Sequence, residues 1–177
     1  MRTLSRGNSA LKRLSYDAVL IAAALVLSYI EHLLPLSFLI PLPGVKLGLS
    51  NIVVIFAFFA LSKLDAAVIS FVRITLTSLI FGSFVSFLFS LLGGALAYLA
   101  VFALGGLLKR EKISFLGVSC ASAVLHSVGQ IAAAVIIYTP AAVSYLPILM
   151  LVSAVMGTVT GVLLNLIYKR LERALNV

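Results

Sequence analysis

Long apolar runs separated by short polar breaks set the pattern of this chain. The runs cover residues 14–34, 47–61, 64–81, 84–108, 115–138 and 148–168. A helix that crosses a bilayer needs about 20 mostly apolar residues, and all the runs except the short second one approach or exceed that length. The pattern predicts an all-α integral membrane protein with six transmembrane helices.

Prolines and polar residues mark the breaks between the runs. Pro35, Pro41 and Pro43 disfavour helix after the first run, so we predict an ordered, apolar loop there. Ser50 and Asn51 are suitable caps for the second helix. Turns are expected at residues 62–65, 82–83, 109–112 and 139–147. The predicted parts are a basic N-terminal segment, a membrane domain and a basic tail, at residues 1–13, 14–172 and 173–177.

The composition supports this interpretation and excludes several classes of protein. Of the 177 residues, 63% are hydrophobic and only 10% are charged, whereas soluble domains average about 45–50% and about 25%. A soluble enzyme, a disordered tail and a secreted disulfide scaffold are therefore excluded. The single cysteine, Cys120, cannot form an internal disulfide.

The basic residues predict the orientation of the helices. All 13 Lys and Arg except Lys46 and Arg73 lie in the N-terminal segment, in alternate loops and in the tail. The positive-inside rule then places both termini in the cytoplasm of a multi-pass protein of the bacterial plasma membrane. The net charge of +8 is explained by this orientation, and the chain has no basic stripe of the kind that nucleic-acid binding requires.

Lys46 and Arg73 are the two cations that orientation does not explain. Arg73 lies near the middle of the third predicted helix, with Thr77 one turn further on the same face. A charge at bilayer depth is costly, so Arg73 needs either a buried structural partner or a ligand. Lys46 is either a surface anchor or, with Gly44, Gly48 and a helix N-terminus, part of an anion site.

Further polar residues lie at a comparable depth. His126 and Gln130 are four residues apart on one face of the fifth helix, where they form either a helix–helix hydrogen bond or a ligand contact. Glu31 ends the first helix and is the acidic residue expected on the outer half, as a partner for either cation or for a ligand. Tyr145 is either an interfacial belt residue or a ligand contact.

The sequence offers no chemistry of its own for catalysis. It has no phosphate-binding GxxxxGK[ST] loop, and Asp17 and Asp65 form no carboxylate cluster for Mg²⁺. No metal, cofactor or enzyme activity is expected. Ala18 and Ala22 on the first helix form a small-residue pair that serves either internal packing or a partner helix. Gly157 and Gly161 form a second such pair, for which internal packing is favoured.

A series of motifs occurs in one order along the chain: the string Pro43-Gly-Val-Lys-Leu-Gly-Leu-Ser-Asn51, Arg73, Phe81-Gly-Ser-Phe84, Gly93-Gly94, His126-xx-Gly-Gln130 and Tyr145-Leu-Pro147. With them the sequence resembles the Gx transporter family, often labelled heptaprenyl diphosphate synthase component I. The resemblance covers roughly residues 14–172. That family usually has Ala where this chain has Ser50.

The resemblance implies a function as the substrate-binding S component of an energy-coupling factor transporter. Such proteins have six membrane helices, bind vitamins or related molecules from outside, and dock on a membrane subunit with two ATPases. The resemblance assigns Ala18 and Ala22 to that docking and places Lys46 over the ligand. The ligand-binding residues expected are Glu31, Lys46, Asn51, Arg73, Thr77, His126, Gln130 and Tyr145.

Two other functions stay open. A stand-alone transporter driven by an ion gradient would use Glu31 or Asp65 as a proton carrier. A non-catalytic subunit of heptaprenyl diphosphate synthase would bind a soluble prenyl synthase. The expected ligand is a small anion, either a vitamin or cofactor-like molecule or an isoprenoid or quinone precursor.

Overall fold

A computed structural model describes residues 2–33, 46, 48–110 and 112–175. All regular structure in these ranges is helical. The α-helices are α1 (Arg2–Leu33), α2 (Asn51–Ala60), α3 (Lys63–Phe81), α4 (Phe84–Lys109), α5 (Phe115–Ile137) and α6 (Leu146–Leu175), and a 3₁₀ helix, Pro140–Tyr145, precedes α6. The predicted loop with Pro35, Pro41, Pro43 and Gly44 lies outside the described residues.

Serine caps explain where three of the helices begin. The hydroxyls of Ser62, Ser83 and Ser114 accept hydrogen bonds from backbone N–H groups three residues later, at the first turns of α3, α4 and α5. These bonds satisfy amide groups that have no partner within the helix. The turn predicted at 82–83 is confirmed, whereas residues 63–65 of the turn predicted at 62–65 already belong to α3.

The prediction that the second helix covers 47–61 is wrong. Gly48 has a φ of +80°, and α2 begins only at Asn51 and contains ten residues. Ten residues rise about 15 Å, roughly half of a bilayer's hydrocarbon core. Five described helices, all except α2, belong to segments long and apolar enough to cross a membrane. The structure thus supports five of the six predicted spans by length.

Other helix ends also differ from the prediction. Helix α1 begins at Arg2, so its regular structure continues back through the basic segment predicted to precede it. The loop predicted at 139–147 contains the 3₁₀ helix, and α6 starts at Leu146 and continues into the basic tail. At the start of α1 and the end of α6, hydrophobicity ends while helical structure continues, which explains these two errors.

Side-chain contacts give the directions of the helices. Helices α1 and α3 are parallel, because Arg13 of α1 contacts Asp65 at the start of α3, while His32, further along α1, lies 6.2 Å from Phe81 at the end of α3, between ring centroids. Helices α5 and α6 are antiparallel, with Phe115 stacked on Tyr168. Arg13 also donates to Ser62, just after α2, and Phe59 of α2 packs on Phe115. The Arg13 end of α1 and the end of α6 therefore lie at one end of the bundle. We call it the basic end, from the described cations Lys12, Arg13, Lys63, Arg110, Lys112, Lys169 and Arg170.

The core forms around α2, which contacts all five longer helices. Phe58 of α2 is buried against the rings of Phe59, Tyr98 and Phe102. Glycines allow close packing elsewhere in the bundle. A Cβ atom on Gly157 would lie 2.7 Å from Cys120 Cα, and one on Gly161 would lie 2.6 Å from Leu116 Cα. The internal packing favoured for this pair is confirmed.

Candidate anion-binding site

Arg73 is buried in the middle of α3, where it is only 5% exposed. Its Nη1 donates a hydrogen bond to the Ser50 hydroxyl, and its Nη2 donates to Asn51 Oδ1 at 3.2 Å. Ser50 precedes α2 but makes no side-chain cap bond, since its hydroxyl faces the guanidinium instead. The Arg73 Nε has no hydrogen-bond partner.

Lys46 and Glu31 are close to Arg73 but are held by neutral groups. Lys46 Nζ donates to Ser90 Oγ of α4 at 3.1 Å. The buried Glu31 carboxylate accepts a hydrogen bond from the Gly48 N–H, in the glycine turn before α2. Burial lowers the pKa of the Lys46 ammonium, and the nearby Glu31 carboxylate opposes this shift. Among the residues that the structure describes, Arg13 and Asp65 form the one ion pair. Neither Lys46 nor Arg73 is therefore directly paired with Glu31.

These residues surround a cavity on the half of the bundle away from the basic end. Its volume is about 10 Å³, which is room for about one water molecule. Residues from α1, α3, α4, α5 and the segment before α2 line it: Ser28, Glu31, Lys46, Gly48, Arg73, Ile74, Thr77, Ser90 and His126. Four long helices and one turn therefore converge on a single polar space inside an apolar bundle.

His126 is fixed on the α5 side of the cavity. Its Nε2 lies 3.2 Å from Gln130 Nε2, one turn along the helix. The imidazole packs against Gly93 of α4, where an added Cβ would lie 2.9 Å from His126 Nδ1. The imidazole of His126 also lies beside Gly48, where an added Cβ would lie 3.3 Å from the imidazole ring. The two glycines thus let the ring fit between α4 and the turn before α2.

Several buried polar atoms around the cavity have no hydrogen-bond partner. They are Asn51 Nδ2, Arg73 Nε, Thr77 Oγ1, His126 Nδ1 and Gln130 Oε1. Buried polar groups in native proteins are normally bonded, and exceptions call for a water, an ion or a ligand. Most of these atoms are hydrogen-bond donors or can act as donors. The cavity is therefore chemically suited to a group rich in acceptor oxygens.

The predicted site residues fall into three groups. Glu31, Lys46, Arg73, Thr77 and His126 line the cavity. Asn51 and Gln130 adjoin it through their bonds to Arg73 and His126. Tyr145 lies elsewhere, packed against the Ile131–Leu149 cluster.

Three serines of the site were not identified as site residues from the sequence. Ser28 and Ser90 line the cavity, and Ser50 accepts a hydrogen bond from Arg73. Ser28 lies three residues before Glu31, and this spacing could have placed both on one face of α1. Ser90 gave no comparable signal, because serine is common in membrane helices, and Ser50 was predicted only as a helix cap.

The small-residue pairs have different environments. Gly157 and Gly161 face α5, whereas Ala18 and Ala22 are exposed on the surface of α1, as is Ala23. Internal packing within the bundle therefore does not explain the alanine pair. This leaves a narrow, smooth strip on α1 that lipid or another helix can contact.

Comparison with family models agrees with the membrane fold. The model described as Heptaprenyl diphosphate synthase component I matches residues 20–167, from the first long helix to the last. No curated protein and no solved structure matches the chain. The matched range includes every residue that lines the cavity. The chain therefore belongs to the heptaprenyl diphosphate synthase component I family.

Proposed function

We propose that this protein is the substrate-binding membrane subunit, or S component, of an energy-coupling factor importer. Its ligand is a small anion, of the vitamin or cofactor type or an isoprenoid or quinone precursor. The observation that carries the proposal is the placement of Lys46 and Arg73 on one cavity while the Glu31 carboxylate bonds to a backbone amide.

The energetics of burial support an anionic ligand. Removing a charge from water costs several kcal/mol, which an opposite charge with good geometry can offset. Arg73 has only neutral hydrogen-bond partners, and its Nε has none. A ligand oxygen that reaches this nitrogen and the Thr77 hydroxyl would supply the missing acceptor and the missing charge.

The size of the cavity indicates that binding involves movement. A space for about one water molecule cannot hold a whole vitamin-sized molecule. The Glu31–Gly48 hydrogen bond joins the end of α1 to the turn before α2. Separation of these two elements from α3 would open the polar groups to a larger ligand, and closure would then bury its acidic group.

The exposed alanines of α1 support docking on a second membrane protein. Small side chains let helix backbones approach closely, and this drives helix association where no hydrophobic effect operates. Ala18 and Ala22 lie between the start and the middle of the apolar segment Leu11–Leu33 of α1, and its start is at the basic end, which the positive-inside rule assigns to the cytoplasm. An ATPase module on that side would contact the protein through this strip.

Copurification tests the docking part of the proposal. The double variant Ala18→Leu with Ala22→Leu should lose the membrane subunit and ATPases that copurify with the wild type, because leucines hold the helices apart. The control is Ala103→Leu with Ala132→Leu, which changes two exposed alanines on α4 and α5. Equal recovery of the module with both variants, or no module with the wild type, would contradict the proposal.

The family description favours a second candidate, a non-catalytic subunit of heptaprenyl diphosphate synthase. In that case the chain would copurify with a soluble prenyl synthase and would change the length of its product. A synthase whose product length is the same with and without this chain would exclude this candidate.

A further inference from the structure

We infer that the cavity selects a ligand group with a single negative charge, a carboxylate, over phosphate and diphosphate groups. The inference deepens the proposed function and rests on it. It follows from the charges that share the cavity and from the position of Glu31 among them.

The charge balance of the cavity is the first argument. Two cations, Lys46 and Arg73, and one carboxylate, Glu31, line it. With His126 uncharged at pH 8, above the ordinary histidine pKa of about 6.5, the cavity has one unbalanced positive charge. A monoanion would balance it. A diphosphate would bring an excess of negative charge into a poorly screened space that already contains Glu31.

The available donors agree with a carboxylate ligand. Arg73 Nε, Thr77 Oγ1 and Asn51 Nδ2 are buried atoms on this side of the cavity that can donate and have no partner. Lys46 and the terminal nitrogens of Arg73 each donate one hydrogen bond to a neutral group and keep further N–H groups. These donors can bind both oxygens of a carboxylate, and the preference against a diphosphate follows from charge.

Glu31 is the residue that sets the preference. Its carboxylate is buried at the end of α1 and accepts from the Gly48 N–H. An uncharged glutamine could keep this bond through its amide oxygen. The change Glu31→Gln would therefore raise the charge of the cavity by one while the turn before α2 stays in place. The variant should accept more highly charged groups.

The test measures binding of three anions to the detergent-solubilised full chain at pH 8. Acetate, inorganic phosphate and pyrophosphate are titrated at constant ionic strength, and each apparent affinity is taken from the rise in unfolding temperature. The wild type should bind acetate about tenfold more tightly than pyrophosphate. Glu31→Gln should lower that ratio at least about fivefold, the scale of one charge interaction in a partly screened site.

A matched control separates local charge from net charge. Asp65→Asn removes one carboxylate at the basic end, where Asp65 pairs with Arg13. It changes the net charge of the protein by the same amount as Glu31→Gln. The acetate to pyrophosphate ratio of this variant should equal that of the wild type. A ratio that shifts equally in both variants would overturn the assignment to Glu31.

The outcomes distinguish this inference from the proposed function. If no anion stabilises the wild type, the anion-binding function itself fails. If pyrophosphate stabilises the wild type most, the function stands and the preference for a single charge is wrong. An unchanged ratio in Glu31→Gln also overturns the charge argument. The order measured with the wild type decides the case even if that variant does not fold.

Discussion

Charged side chains have different partners at the two ends of the bundle. At the basic end, Arg13 Nη2 lies 2.6 Å from Asp65 Oδ1, and Ser62 completes the contact by donating to the same carboxylate. In the cavity at the other half, Glu31 and Arg73 line one space, yet each is held by neutral partners. An arginine and a carboxylate thus form a direct pair at the basic end, whereas an arginine and a carboxylate in the cavity remain unpaired.

This difference indicates different roles. The Arg13–Asp65 pair joins α1 to the start of α3, and Arg13 is half exposed, so the pair needs no further partner. The cavity instead keeps a buried guanidinium nitrogen without any partner. Such an arrangement lowers stability unless something else binds there. We interpret the first as a structural contact and the second as a binding site.

The largest expected effect comes from Arg73. Replacing Arg73 by Ala should weaken acetate binding at least about 30-fold, because loss of a buried charged partner usually costs several kcal/mol. Arg13→Ala should leave binding unchanged while it removes the pair at the other end. Titrations followed by thermal unfolding measure both variants. Normal binding by folded Arg73→Ala would show that Arg73 is structural.

The next effect concerns the helix contact that supports the cavity. A Cβ atom on Gly129 would lie 2.4 Å from the Leu92 carbonyl oxygen, whereas one on Gly106 meets nothing within 4 Å. Gly129→Ala should lower the free energy of unfolding by about 1–3 kcal/mol through overpacking. Gly106→Ala, also on a helix, should be neutral or slightly stabilising. Equal stabilities would contradict the close packing of α4 on α5.

The smallest effect is expected at the basic end. The side chain of Arg13 is 53% exposed, so solvent screens its pair with Asp65. A double-mutant cycle with Arg13→Ala and Asp65→Asn should give a coupling of about 0.2–1 kcal/mol, lower at high salt. Unfolding of the four proteins at low and high salt measures it. A larger coupling, insensitive to salt, would remove the contrast between the two ends.

Much of the fold follows from the sequence, because hydrophobicity and serine caps are local signals. The starts of α4 and α5 agree with the predicted residues, and α3 begins within one residue. The second helix was predicted to be short, but its start was placed too early, since that start depends on the Gly48 turn and on Glu31, which is distant in sequence. The 3₁₀ helix was missed because its first residue, Pro140, is equally typical of a loop.

The candidate site could be predicted only in part. Arg73 stood out because a charge in an apolar run is rare, and Lys46 stood out because the predicted orientation does not explain it. Their hydroxyl partners, Ser50 and Ser90, could not be identified, because which serine faces which cation depends on how the helices pack. Tyr145 had the same signal as the other polar candidates, yet it packs against Ile131 and Leu149.

The most direct test of the central claim is native mass spectrometry of the protein purified from its own membranes. The account predicts an acidic small molecule bound to the wild type and to Arg13→Ala, and absent from Arg73→Ala. The acidic group should be a single carboxylate. The same molecule retained by folded Arg73→Ala, or a wild type that carries only lipid, would contradict the claim that the unpaired cations form a binding site.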